Sequence, residues 1–132
     1  MGNKLGIAYS LGNLANITRE QGDFAAAHLL FAESLTLRME LNDQLGIAVL
    51  LSAMAEMAVA EEDLTRAICL AAATETLLTS ISGALQPDER TQQEKTIATV
   101  REALGEPAFQ STWEAGQRLT MKQAVELALR EN

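Results

Sequence analysis

Cysteine occurs once, at Cys69, so no disulfide can close within the chain. Histidine also occurs once, at His28, which leaves little material for a metal site. Aromatic residues make up only 4% of the chain against 48% hydrophobic residues overall, so the core must be built from Ala, Leu, Ile, Val and Met. β-branched and aromatic residues are too sparse for a sheet. An Ala- and Leu-rich chain with two prolines instead reads as closely packed helices. Basic residues are outnumbered, 10 to 18, giving a formal net charge of −8. That excludes the basic face needed to displace counterions from nucleic acid. It also disfavours anionic membrane surfaces. No run approaches the roughly 20 apolar residues of a membrane span. The stretch from Gly6 to Ala15 is broken by Ser10, Gly12 and Asn13 and lacks a basic leader, so it does not read as a signal peptide. Met1-Gly2 opens like a myristoylation motif, but Gly6 stands where Ser or Thr is required. A cytoplasmic protein of bacterial type is the expectation.

What is present is a repeat. Leu5-Gly6-Ile7-Ala8 returns as Leu45-Gly46-Ile47-Ala48, a shift of 40 residues. The same shift lays Asp23 on Asp63, Ala27 on Ala67, Leu30 on Leu70 and Thr36-Leu37 on Thr76-Leu77. Matches at one fixed offset in this range mean stacked supersecondary units.

Punctuation residues divide the repeat. The pattern predicts helices over about 4–20, 24–41, 44–60 and 64–82. Gly22-Asp23 combines a left-handed stop with an N-cap, and Asn42-Asp43 repeats that logic. Glu62 stands where the first turn has Gly22, a replacement worth about 1 kcal/mol if the left-handed geometry persists. Helix four is expected to stop at Gly83. Short turns make neighbours antiparallel, so the four helices form two hairpins. Two units are fewer than the usual three or so, and residues 84–132 should cover the end. Pro87 opens a polar helix over about 87–104, Pro107 a short helix to Gly116, and Thr120 with Gln123 forms a capping box for the last helix. Phe109 and Trp113, at i and i+4, are expected to anchor this cap on the second unit. The expected organisation is one domain over 1–132, with repeat one at about 4–43, repeat two at about 44–83 and a helical cap over 84–132.

Gly22-Asp23-Phe24, followed by Ala27 and Phe31, resembles the Gly-Asp-Tyr…Ala…Tyr signature of the tetratricopeptide (TPR) family. Leu14-Ala15 falls where that family has Leu-Gly, and Leu11 at its usual tryptophan position. The second unit matches through Met54-Ala55, Asp63 and Ala67. The resemblance implies an all-α, right-handed superhelix of antiparallel hairpins. The tail, through Pro87-Asp88-Glu89-Arg90, Val100-Arg101-Glu102-Ala103-Leu104-Gly105-Glu106-Pro107 and Trp113-Glu114-Ala115-Gly116, is similar to the end of large bacterial signalling ATPases and LuxR-type regulators with TPR arrays. It implies a sensing or docking module within such a regulator, of which this chain would be a C-terminal piece or a stand-alone relic. No Gly-rich phosphate loop with Lys-Ser/Thr occurs here.

Catalytic chemistry finds no constellation. His28 lies beside an apolar run without a nucleophile or orienting acid. Cys69 has no metal-ligand spacing and reads as a small buried hydrophobe. Glu61-Glu62-Asp63 lacks the alternation and central Gly of a calcium loop, and reads as a solvated turn. Asn16-Ile17-Thr18 matches a glycosylation triplet but falls inside a helix. Met39, Met54, Met57 and Met121 have helical spacing suited to core filling. The sequence thus predicts no catalytic residue, no cofactor, no metal and no enzyme activity.

Two surfaces remain as candidates for a protein or peptide partner. The TPR resemblance places Tyr9, Asn16, Arg19, Ser52 and Glu56 on the concave groove, with Asn16 and Glu56 equivalent across the shift. Gly12 and Ser52 stand where a carboxylate-clamping lysine is expected, and Glu56 would repel a carboxylate, which excludes that mode. A merely solvated inner face is equally open. The second surface is the unprotected end of the first hairpin, where Leu5, Ile7, Leu11 and Leu14 would form an apolar patch suited to homo-oligomerisation.

Overall fold

The structure, a computed structural model, describes residues 3–130. Met1 and Gly2, with their myristoylation-like start, lie outside the described residues. Seven helices and no strand occur among the described residues: α1 (Asn3–Glu20), α2 (Phe24–Glu40), α3 (Gln44–Ala60), α4 (Leu64–Ser80), α5 (Pro87–Leu104), α6 (Glu106–Gln117) and α7 (Met121–Leu129). The fold is an all-α, TPR-like helical repeat.

Caps fix the helix starts. Asp23, Asp43 and Asp63 each accept a hydrogen bond from the amide three residues on, at 3.2, 3.0 and 3.2 Å. Each satisfies one of the orphan donors of a first turn. The stops are equally regular. Gly22, Asn42, Glu62 and Ser82 all have positive φ, at 86°, 53°, 64° and 51°. At each, the next amide reaches back five residues, as Asp43 N does to the Arg38 carbonyl at 2.9 Å and Gly83 N to the Leu78 carbonyl at 2.9 Å. This is the Schellman ending. Helix four therefore ends at Ser80, and the left-handed residue is Ser82 rather than Gly83. The turn geometry recurs every 20 residues, and that spacing overrides the local glycine signal.

α1 packs along α2, and α3 along α4, as two hairpins stacked through α2 and α3. The seam is made of small and aliphatic residues: Ala8, Ala15, Ala27, Ala48, Ala55, Ala67 and Ala71 are fully buried, with Phe31, Leu35, Ile47, Leu51 and Ile68 between them. Met54 and Met57 are buried, and Met39 and Met121 pack partly against the core. All three remaining helices touch α4. α5 lies beside α3 and α4, and α6 lies along α4. Gly116 permits that approach, because a Cβ there would stand 2.7 Å from the Cβ of Ala72 and from the Cys69 carbonyl oxygen. Phe109 is buried and stacks on Trp113 with ring centroids 5.8 Å apart, and the Arg101 guanidinium lies 4.2 Å over the Phe109 ring. α7 turns back across α4 to α3 and α2. There the Arg66 guanidinium donates to the Arg130 carbonyl at 2.7 Å, and a His28 ring nitrogen lies 3.4 Å from the Leu129 carbonyl oxygen.

Candidate functional site

The side chains expected in the groove come from α1 and α3, and the structure joins three of them. The Arg19 guanidinium pairs with Glu56 at 3.1 Å and lies 3.4 Å from the Asn16 amide oxygen. Its Nε is buried without a hydrogen-bond partner. A cation already neutralised by a carboxylate from the next hairpin is a cross-repeat brace and has little charge left for a ligand. Ser52 is placed differently from a groove-lining residue. It is buried, and its hydroxyl donates to the Gln93 side-chain oxygen at 2.7 Å. Gln93 in turn donates to the Ala71 carbonyl at 3.1 Å and to Glu75 at 3.2 Å, and Glu75 pairs with Arg90 at 2.6 Å. That hydrogen bond holds Arg90 more firmly protonated than usual. The network ties α5 to both helices of the second hairpin, so α5 closes the groove at Ser52. Tyr9 is exposed.

The patch on the first hairpin has a different character. Asn3, Gly6, Ile7, Ser10, Leu11 and Leu14 line a shallow depression along one side of α1. A second depression shares Ile7 and Leu11 and continues onto α2 through Leu29, Ala32 and Leu37. Ile7 is 50% exposed and Leu14 49%, while their equivalents one repeat later, Ile47 and Met54, are 0% and 2% exposed. Leu5 is exposed but does not line either depression, and its equivalent Leu45 is exposed as well. Its exposure is thus a feature shared by both repeats.

The equivalent side of α3 shows what such a stripe does when it is covered. Asp43 pairs with Arg38 of α2 at 2.6 Å. Gly46 leaves room for that pair, since a Cβ there would collide with both side chains. Leu50 lies against Gly12 of α1. Three of the six positions therefore receive the first hairpin. Arg38, Ser34 and their seat were absent from the residues expected on sequence grounds; the only signal was Gly46 itself, a glycine kept inside a helix.

Residues weighed for other chemistry have structural roles. Cys69 lies half-buried under α6, its thiol 3.8 Å from the Thr112 carbonyl oxygen. Burial, with a smaller contribution from the Asp63 charge, pushes the thiol above its ordinary range, which is the opposite of an activated nucleophile. Asp63 caps α4 and pairs with Arg66 at 3.2 Å. Among the described residues no group of three His, Cys, Asp or Glu side chains is placed to hold a metal ion. Nor is any described helix long and apolar enough to cross a membrane.

Residues 7–42 match the family model described as tetratricopeptide repeat. The match covers most of α1 and all of α2, the hairpin that carries the exposed stripe. TPR units are in general a non-catalytic scaffold for protein–protein interaction. No curated protein and no solved structure matches the chain.

Proposed function

We propose that this chain is a non-catalytic protein-interaction module of a bacterial, cytoplasmic regulatory protein, and that it takes a helix of its protein partner on the outer face of α1. In this reading the chain is one domain, with repeat one at about 4–43, repeat two at about 44–83 and a helical cap over 84–132. The observation that carries the docking face is the contrast between exposed Ile7 and Leu14 and buried Ile47 and Met54. A stripe that buries a neighbouring helix in one repeat has the shape and chemistry to do so in the other. Burying a Leu or Ile side chain is worth about 1.5–3 kcal/mol, enough for two or three anchors to carry a transient complex. The regulator context rests on the likeness of residues 87–129 to the tails of bacterial signalling ATPases.

The groove is the weaker candidate, because Arg19 and Glu56 neutralise one another and α5 covers Ser52. Homo-oligomerisation through the α1 stripe is a second reading, favoured by the continuation of the apolar surface onto α2 through Leu29. A library of displayed helical peptides, selected on the wild-type chain, tests the site. Selected binders should lose at least tenfold in affinity for an Ile7→Asp/Leu14→Asp variant and keep their affinity for Arg19→Ala. Binders that ignore the first variant and are lost on the second would move the site to the groove. Light scattering across concentration addresses the second reading, which requires an oligomer that the Ile7→Asp/Leu14→Asp variant dissolves.

A further inference from the structure

α6 lies along α4 and only lightly against α5, which leaves a cleft of about 460 Å³ between the three helices. That volume is of the size that small-molecule sites have. α5 contributes Arg90, Ile97 and Arg101, spaced seven and four residues apart and so on one face of the helix. α6 contributes Phe109 and Trp113. The two rings are used unequally. Phe109 is 2% exposed and anchors α6, whereas Trp113 stacks on it and remains only partly buried, lining the cleft. The charges are unequal too. Glu75 accepts from Arg90 at 2.6 Å and from Gln93 at 3.2 Å, so that carboxylate and Arg90 are committed to bracing α5. Arg101 is held more loosely. Its guanidinium lies 4.2 Å over the Phe109 ring and pairs with Glu106 at 3.0 Å. The two side chains of that pair are 50% and 68% exposed, against 15% and 26% for Arg19 and Glu56. An ion pair so open to water is weak and exchangeable. Glu106 also stands in the first turn of α6, where the helix dipole favours a carboxylate without any partner.

We infer that the cleft between α4, α5 and α6 binds a small aromatic carboxylate, its ring against Trp113 and Ile97 and its carboxylate on Arg101. A planar ring gains from stacking on an indole beyond the area it buries. The guanidinium fork matches a carboxylate with two parallel donors. A cationic ligand would meet two guanidiniums, and a multiply charged anion would meet Glu75 and Glu106 beside them, so a single negative charge fits best. The site shares no residue with the α1 stripe and does not depend on the docking-face reading.

Trp113 is the chain's one tryptophan, so its emission reports on the cleft directly. The probe is 3-phenylpropionate, with its neutral isostere 3-phenylpropanamide as control, titrated into the full chain with excitation on the red edge of the indole band. Saturation-transfer NMR of the same probes detects binding that leaves the emission unchanged. Saturable binding of the acid in the millimolar range is expected of so small a ligand. It should be at least fivefold weaker for the amide and for Arg101→Gln. Gln110 is exposed on the rim of the cleft, so Gln110→Glu should weaken the acid at least threefold by repulsion while leaving the thermal melt unchanged. Acid and amide binding alike, or an Arg101→Gln variant that melts and binds as the wild type does, overturns the carboxylate seat. No saturable binding of the acid by either readout overturns the site. A blocked Gly-Phe-Asp-Gly peptide that binds at least tenfold more tightly than the acid would give the cleft to a protein segment and overturn the small-molecule occupant.

Discussion

Gly6 and Gly46 are the same residue in two environments, and their contrast condenses the energetics of the stack. Glycine inside a helix ordinarily forfeits up to about 1 kcal/mol relative to alanine. At position 46 that loss is offset by the room it gives to a buried guanidinium and its carboxylate. Removing one partner of such a pair is strongly unfavourable, because the other charge is left desolvated. At position 6 nothing offsets the loss, because nothing stands over it. Gly46→Ala should therefore lower unfolding stability by about 1–3 kcal/mol through overpacking. Gly6→Ala should raise it by up to about 1 kcal/mol. Urea denaturation of the two variants checks the pair; a loss at both positions would mean that Gly6 is not the open counterpart of Gly46.

At the scale of the helix and its turn, three near-identical units of cap, helix and left-handed stop, preceded by α1 and its own stop at Gly22, account for the regularity of residues 3–83. Asp23, Asp43 and Asp63 were legible as caps because an N-cap is a one-residue signal that acts within its own turn. Gly22 was legible for the same reason. Ser82 was not: a left-handed serine carries no mark of its own, and adjacent Gly83 offered a more obvious stop. Glu62 holds the same strained geometry without need. Glu62→Gly should stabilise the chain by about 1 kcal/mol, seen as a higher urea midpoint with an unchanged slope. The candidate site follows the same division. The α1 stripe could be read because Ile7, Leu11 and Leu14 share one face of one helix. The loss of Ser52 from the groove could not, because its partner Gln93 comes from a polar helix outside the repeat. The Arg38 seat needed two helices in register before it could be recognised.

Over residues 3–130 the molecule is a short one-dimensional stack whose two sides differ. In such stacks each unit depends on its neighbours, and an end unit is exposed on one side. The far end is covered by α5, α6 and α7, which all reach α4, with Phe109 and Gln93 buried at the junction. On the α1 side Ile7 and Leu14 are exposed and Leu11 is partly buried. The depression on α1 is lined by no acidic side chain, and Glu33 borders its continuation on α2. In the proposed reading the partner should engage the α1 side, where Ile7 and Leu14 are exposed. Hydrogen–deuterium exchange of the full chain, with and without a saturating helical peptide selected on it, tests this most directly. New protection confined to α1 and the neighbouring part of α2 is the predicted result; protection along α3 and α5 with α1 unchanged would contradict it.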